Sequence, residues 1–261
     1  MTLLKHELRQ SLKTTAIWTA AIAGFVAVCV FLYPEMKGEM EQVSEVFASM
    51  GAFTAAFGMD RLNFGTLLGF YAVECSNILG IGGAFFAAML GAGILSREEK
   101  DHTAEFLLAH PVSRVRVLTC KFAALVVQLA AMNAVVLLSA FGSVAIIGEE
   151  VNAKTLVILH LANFLVQLVL VCICFMLSAF VRRGSVGVGI GVAALFYCVN
   201  LVANITESAK WMKWLTPFAF AESADIVEKV SIDLQMAALW LSVGAVCTVV
   251  AFWCYNKKDI A

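Results

Sequence analysis

Charge is scarce in this sequence. Asp, Glu, Lys and Arg make up 14% of its 261 residues, whereas 61% of the residues are hydrophobic. A soluble domain is only about 45–50% apolar, so a chain of this composition has more apolar side chains than a soluble core can bury. The scarcity of charge therefore excludes a soluble globular protein and indicates a lipid bilayer as the main solvent. The chain also lacks a basic tail, so nucleic acid is not an expected partner.

Several catalytic motifs are missing as well. A nucleotide-binding P-loop needs a Gly-Lys pair, and the sequence contains none. It has neither a Gly-x-Ser-x-Gly nucleophile elbow nor a His-Glu-x-x-His metal motif. Its eight cysteines are scattered, mostly through apolar runs, without the spacing of metal ligands. We therefore expect no catalytic residue, no metal site and no cofactor in this chain.

Six apolar runs are long enough to cross a bilayer, because a hydrocarbon core of about 30 Å needs about 20 helical residues. They cover residues 15–33, 66–95, 122–147, 155–181, 185–204 and 234–254. The first run is followed by Pro34 and Glu35 and not by a small-residue cleavage site, so we expect it to be retained. The sequence thus predicts an all-α integral membrane protein with a single transmembrane domain over residues 1–261.

The distribution of basic residues predicts the direction of the spans. If both termini are cytosolic, twelve of the eighteen Lys and Arg lie in cytosolic segments, and six lie in the much longer outer loops. The positive-inside rule then favours this orientation. We expect a multi-pass membrane protein with both termini in the cytosol.

Three segments outside the six runs are also expected to be ordered. Leu4, Leu8 and Leu12 lie on one face of residues 1–14, which we predict to form a helix in the inner headgroup region. An apolar stripe over residues 39–57 predicts an amphipathic helix in the first outer loop. The last outer loop is too aromatic for free coil, so interfacial or partly re-entrant half-helices are expected there.

The inner loop over residues 96–121 has the most specific pattern in the chain. Ser96 and Glu99 form a capping box and Pro111 marks a helix end, which predicts a helix of about three to four turns. Taken alone, this helix could equally be a solvated connector. The pattern combines a cluster of acidic and basic residues with Thr103, Glu105, Leu107, Leu108, Pro111, Val112, Ser113, Arg114 and Lys121.

This pattern resembles the signature of type-2 ABC transporter permeases, and the six-span layout extends the likeness over the whole chain. The resemblance implies a six-helix bundle of the type-2 ABC exporter kind, in which the loop is a cytosolic coupling helix that contacts a separate ATPase subunit. The residues implied in coupling are Arg97, Glu98, Glu99, Lys100, Asp101, Thr103, Glu105, Pro111, Ser113 and Arg114. The last three of these are expected to set the angle of the third span.

Polar side chains inside the runs are candidates for a substrate path, because they are costly in lipid and should face the bundle or a cavity. The candidates are Glu74, Gln128, Asn133, Asn163, Gln167, Asn200 and Asn204. For any single amide, hydrogen bonding between helices without a transport role is the favoured alternative. Glu74 lies close to the outer interface, where a gate or lateral contact competes with a snorkelling carboxylate. His160 is expected to be a bundle histidine in preference to a proton relay.

Small residues indicate close packing of helix backbones in the second and fifth runs. The second run repeats Gly80, Ala84, Ala88 and Ala92, and the fifth carries Gly187 and Gly191, with Ser185 and Gly189 beside them. Packing within one bundle would explain both patterns. In the resembling family, however, the first and fifth spans line the interface between two permease subunits, which assigns Gly187 and Gly191 to a dimer contact.

The resemblance implies a transport subunit without enzymatic activity. It is expected to act as a homodimer with two copies of an ABC ATPase, and that ATPase would bind ATP and Mg²⁺. An amphipathic or hydrophobic cargo, preferably a small peptide toxin or antimicrobial, would move outward by alternating access. Drug, sodium or copper-enzyme-maturation transport are the alternatives within the family, and a non-transporting sensor or immunity module is the alternative outside it.

Overall fold

The computed structural model of the chain describes residues 2–95, 113–180 and 186–257. Helices α1 to α6 have the bounds Thr2–Ser49, Ala52–Ala56, Leu67–Gly93, Arg114–Ile147, Ala153–Phe180 and Val186–Ile205. Two 3₁₀ helices follow at Glu207–Leu215 and Pro217–Ala221, and then come α7 at Ser223–Lys229 and α8 at Leu234–Lys257. These described residues contain no strand, which confirms the all-α prediction.

Six of the described helices, α1, α3, α4, α5, α6 and α8, are long and apolar enough to cross a membrane. The predicted six-span architecture is therefore confirmed. Helices α3 and α5 form its centre, since 67% of the most apolar window of each is buried, against 22% in α1, α6 and α8. The outer helices expose large apolar side chains such as Leu138, Leu195 and Val249, which suits contact with lipid tails.

The beginning of the chain is one long helix. The sequence predicts a surface helix over residues 1–14 that leads into the span over 15–33, and α1 covers both segments and continues through Pro34. A proline removes one backbone hydrogen bond, and membrane helices tolerate this loss where the freed carbonyl finds other partners. The position of residues 1–14 in the headgroup region stays a prediction.

The predicted amphipathic helix over residues 39–57 is divided. Its first part is the end of α1, which stops at Ser49, and its last part is the five-residue helix α2. The break falls at Gly51, whose φ of 62° lies in the left-handed region that favours glycine. The side chains of Met40, Val43 and Phe47, which form most of the predicted stripe, lie outside the described part of the structure.

Close backbone contacts hold the central helices together. A Cβ added to Gly91 of α3 would lie 2.9 Å from the carbonyl oxygen of Val171 in α5. A Cβ added to Gly189 of α6 would lie 2.7 Å from the carbonyl oxygen of Ala88 in α3. The small residues of the second and fifth spans therefore pack against neighbouring helices of the same chain at these positions.

The aromatic loop after α6 is helical and folds back onto the bundle. Trp211 and Trp214 in the first 3₁₀ helix are exposed, whereas every residue of the second, Pro217–Ala221, is buried. Thr216 fixes the junction, because its Oγ1 donates to the carbonyl oxygen of Phe196 at 2.8 Å and accepts from the amide of Phe218 at 3.3 Å. The second 3₁₀ helix packs on α5 and α8, and α7 packs on α3 and α5.

Candidate functional site: the coupling-loop stems and a polar cavity

Most of the predicted coupling helix lies outside the described residues. This is the case for Arg97, Glu98, Glu99, Lys100, Asp101, Thr103, Glu105 and Pro111. Their contact with an ATPase therefore stays a prediction. The structure does describe the two stems of the loop, which end at Leu95 on one side and begin at Ser113 on the other.

The second stem starts with a helix cap. Ser113 has an extended backbone, and its Oγ accepts a hydrogen bond from the amide of Arg116 at 3.3 Å, which satisfies one of the free donors at the start of α4. The guanidinium of the next residue, Arg114, donates to the carbonyl oxygen of Asn256 at 3.3 Å. Ser113 and Arg114 thus fix where the third span begins and link it to the end of the sixth.

Lys121 connects this stem to two other helices. Its side chain is 1% exposed, and its Nζ donates to Glu7 Oε1 at 3.0 Å and to the carbonyl oxygen of Ile94 at 3.1 Å. Glu7 belongs to α1 and is 4% exposed, while Ile94 lies at the end of the first stem. One buried ammonium therefore joins α1, α4 and the residue where the coupling loop departs from α3.

The first stem has a second attachment. The amide of Leu95 donates to Ser178 Oγ of α5 at 2.9 Å, and Ser178 is buried. Both stems of the loop are thus bonded to the interior of the bundle within a few residues of the segment that carries the predicted coupling residues.

Two of the predicted path residues, Asn133 and Gln167, bond to each other. Asn133 Nδ2 donates to Gln167 Oε1 at 2.6 Å, and Gln167 Nε2 donates to the carbonyl oxygen of Leu79 at 3.2 Å. A third, Gln128, accepts from Thr15 Oγ1 at 2.9 Å. These contacts connect α4 to α5, α5 to α3, and α1 to α4. In this arrangement the amides hold helices together, as the alternative without a transport role expects.

A second polar group lies nearer the predicted outer end of the bundle. Asn163 Nδ2 of α5 donates to Ser76 Oγ of α3 at 3.0 Å, and Ser223 Oγ of α7 donates to the same oxygen, also at 3.0 Å. Close by in sequence, the Tyr71 hydroxyl and His160 Nε2 are 2.7 Å apart. His160 is thus bonded within the bundle, where the sequence predicts a bundle histidine.

Glu74 occupies a different environment from the other candidates. It is partly exposed on α3, and no hydrogen bond or ion pair joins it to another residue of the described part of the chain. The structure therefore does not bring Glu74 together with the buried amides. Its role as a gate or lateral contact stays a prediction.

Glu222 is not among the predicted path residues, because it lies in the last outer loop, where a carboxylate is expected to be solvated. Its Oε2 accepts from Asn204 Nδ2 at 2.8 Å and from Asn200 Nδ2 at 3.2 Å. Burial raises the pKa of Glu222, and the two amide donors oppose that rise. The signal in the sequence is the spacing of the two asparagines, which lie four apart on one face of α6 and can share one acceptor.

Glu222 lines a polar cavity of about 460 Å³ between α6, the first 3₁₀ helix and the residues around α2. Its charged lining residues are Asp60, Arg61, Glu207, Lys210, Lys213, Glu222 and Asp225. Arg61 bonds to Asp225 at 2.8 Å and also to Glu228, while Lys210 bonds to Glu207. The cavity therefore carries both signs of charge, and part of that charge is internally paired.

The two predicted dimer residues, Gly187 and Gly191, are exposed in the single chain. A Cβ added to Gly191 would meet no described atom within 4 Å, in contrast to the tight contact of Gly189. The face of α6 that carries Gly191 is therefore available to another molecule.

These features define a class: a multi-pass helical membrane protein with a charged cavity at one end and an anchored loop at the other. Residues 1–260 match the family described as ABC-2 family transporter protein. The chain belongs to this family and is a permease subunit of an ABC transporter. Membership implies a membrane setting and a separate ABC ATPase partner, and it makes the chain a transport component that is not itself catalytic. No individual curated protein matched the chain.

Proposed function

We propose that the chain is the membrane-embedded half of an ATP-driven exporter in the bacterial plasma membrane. Two copies associate with each other and with two copies of the ATPase, which binds ATP and Mg²⁺. The loop over residues 96–121 contacts the ATPase and passes its closure to the spans. The cargo is an amphipathic or hydrophobic molecule, preferably a small peptide toxin or antimicrobial, that moves outward by alternating access.

The observation that carries this proposal is the attachment of the coupling loop to the bundle. Lys121 joins α1, α4 and the carbonyl of Ile94 through one buried ammonium, and Ser178 holds the neighbouring amide of Leu95. A displacement of the loop would therefore act on several spans at once. A solvated connector needs no such buried attachments, because nothing has to be transmitted through it.

The cargo preference rests on the chemistry of the interior. Six of the seven candidate path residues are amides and they form no ring of charge, which suits an amphipathic molecule better than a bare ion. Drug, sodium or copper-enzyme-maturation transport remain the alternatives within the family. A sensor or immunity module with the same fold would differ from all of these because it would not stimulate an ATPase.

The test is co-expression of the tagged chain with the ABC ATPase encoded nearest to it, followed by reconstitution in proteoliposomes. We expect the ATPase to co-purify and its rate of ATP hydrolysis to rise when an amphipathic peptide is added. A chain that purifies alone and leaves ATP hydrolysis unchanged would support the non-transporting module.

The proposed orientation predicts a labelling pattern in a variant without cysteines. Single cysteines at Glu150 and Ser208, both exposed, should react with an impermeant thiol reagent in intact cells. Cysteines at Lys5 and Asp101 should react only after lysis, because the positive-inside rule places them in the cytosol. The opposite pattern would contradict the orientation and with it the contact between the loop and a cytosolic ATPase.

The proposed dimer predicts that Gly191→Leu weakens association without unfolding the chain. A Cβ at Gly191 would meet no described atom of the protomer within 4 Å, but a leucine would separate two helices that approach closely across the proposed interface. Cross-linking in membranes should show at least a twofold loss of dimer for Gly191→Leu and for Gly187→Leu.

Gly142→Leu is the matched control for this test, since Gly142 of α4 also has open space around it. It should leave the dimer unchanged. If Gly191→Leu and Gly142→Leu both retain the cross-linked dimer of the wild type, the interface lies on another helix.

A further inference from the structure

A small cavity lies beside the charged cavity, among residues of α3, α5 and α6. Its volume is about 30 Å³, and its wall includes Glu222, which also lines the larger cavity. The remaining polar lining residues are Ser76, Asn77, Asn163, Tyr197, Asn200 and Ser223. A space of this size holds about one water-sized group.

Each of the three asparagines that line this cavity donates an amide N–H group to another group of the protein. Asn77 Nδ2 donates to the carbonyl oxygen of Val73 at 2.7 Å, and Asn163 Nδ2 donates to Ser76 Oγ at 3.0 Å. Asn200 Nδ2 donates to Glu222 at 3.2 Å. Asn163 Nδ2 also donates to the carbonyl oxygen of Leu159 at 2.9 Å, so the group that Asn163 has left is its amide oxygen, a hydrogen-bond acceptor.

The amide oxygen of Asn200 is a second acceptor in this wall. Asn200 is 6% exposed, and its Oδ1 has no hydrogen-bond partner among the described residues. A buried acceptor without a partner costs about 1–3 kcal/mol. The lining of the small cavity thus offers the amide oxygens of Asn163 and Asn200 together with the carboxylate of Glu222.

We propose that the small cavity binds a protonated primary amine. An ammonium group has three donors and no acceptor, so it complements amide oxygens around a carboxylate, and its size suits a space of about 30 Å³. The rest of the ligand lies in the larger cavity, which the Glu222 side chain also borders. The ligand is therefore a molecule with an ammonium group and a polar body, such as a peptide amino terminus.

Binding requires ionised Glu222, so it should weaken as the pH falls. Burial raises the pKa of this carboxyl group, which means that protonation begins at a higher pH than for a solvated glutamic acid. Other titratable groups also line the two cavities, and they are Asp60, Arg61, Tyr197, Glu207, Lys210, Lys213 and Asp225. The Glu222→Gln variant separates the contribution of Glu222 from theirs, because it keeps one carbonyl acceptor while it removes the charge and replaces the other oxygen by an NH2 group.

As a cargo contact, this site rests on the proposed export function, so the test measures binding to the permease alone. The purified chain in lipid nanodiscs is heated in methylammonium chloride, tetramethylammonium chloride or sodium chloride at equal ionic strength. A ligand that binds only the folded state raises the unfolding midpoint in a saturable way. Loss of ATPase coupling would leave this measurement unaffected.

We expect methylammonium to raise the midpoint saturably and tetramethylammonium, which has no N–H donor, to leave it unchanged. Glu222→Gln should increase the half-saturating concentration at least tenfold, or about 1.4 kcal/mol. Gly80→Ala should also weaken binding without altering charge, since its methyl group would lie 2.9 Å from Asn163 Oδ1. Glu150→Gln is the matched control, because this exposed carboxylate lies outside both cavity linings.

Three results would overturn the proposal. One is the absence of saturable stabilisation by methylammonium in the wild type, which would mean that the cavity holds only water. Another is an equal rise of the unfolding midpoint in tetramethylammonium chloride, or a rise in sodium chloride alone. Neither of these cations has an N–H donor, so the site would not be selecting an ammonium group. The third is wild-type affinity in both Glu222→Gln and Gly80→Ala.

Discussion

Replacing Lys121 with methionine is expected to lower the free energy of unfolding by about 3–5 kcal/mol, because removal of one partner leaves a buried charge uncompensated. Glu7 is 4% exposed and would keep its carboxylate inside the bundle. The carbonyl of Ile94 would lose a donor in the same step. Chemical unfolding of the purified permease measures the change.

Two further variants make this result specific. Lys154→Met removes an exposed lysine at the start of α5 and should change the free energy of unfolding little. The double variant Lys121→Met, Glu7→Leu replaces the whole pair by apolar side chains and should recover most of the stability. If Lys121→Met unfolds like the wild type, the buried pair does not hold the loop stems.

The double variant also tests coupling separately from folding. It restores a stable bundle but removes the ammonium that joins α1, α4 and the end of the first stem. We therefore expect it to bind the ATPase and to show reduced stimulation of ATP hydrolysis by cargo. A purely structural role of the pair would restore stimulation together with stability.

The six spans could be predicted from the sequence because each is defined by its own apolar residues. A run of about 20 apolar residues needs no knowledge of its neighbours to be recognised. The length of α1 could not be predicted in this way, because the helix continues through Pro34 at the end of the first run. Whether a membrane helix continues through a proline depends on its surroundings, and a single sequence does not contain that information.

The partner of Lys121 could not be predicted, because Glu7 lies 114 residues away in the sequence. Beside Lys5 and Arg9, Glu7 has the pattern of a polar helix face at the membrane surface. Only the packing of α1 against α4 removes it from solvent. The lysine itself, in contrast, was visible as a charged residue at the edge of an apolar run.

The cavity at Glu222 depends on how the last outer loop returns to the bundle. Asn200 and Asn204 are among the predicted path residues and lie four apart on one helix face. Their acceptor comes from a loop whose 3₁₀ helices have no clear periodic signal in the sequence. The charged cavity therefore became evident only in three dimensions.

The second large effect is a loss of ATPase binding, which we expect when two acidic residues of the coupling loop are replaced by lysine. Glu98→Lys, Glu105→Lys keeps the capping box of Ser96 and Glu99, so the loop helix should still form. Like charges brought together at a partly desolvated subunit contact cost several kcal/mol, which corresponds to on the order of a 100-fold or greater loss of ATPase affinity. Insertion and dimer formation should be unaffected, because the spans are unchanged.

Glu35→Lys, Glu150→Lys is the matched control for this variant. It makes the same change of charge at two exposed positions near the opposite end of the bundle. Those positions lie in outer segments in the proposed orientation, so ATPase binding should match that of the wild type.

The most direct measurement of the central claim is therefore ATPase co-purification with the Glu98→Lys, Glu105→Lys permease, followed by the rate of ATP hydrolysis with and without an amphipathic peptide. We predict that this variant inserts and dimerises but loses the ATPase or its stimulation, while the matched control retains both. Wild-type co-purification and stimulation in the coupling-loop variant would contradict the account and leave the loop as a solvated connector.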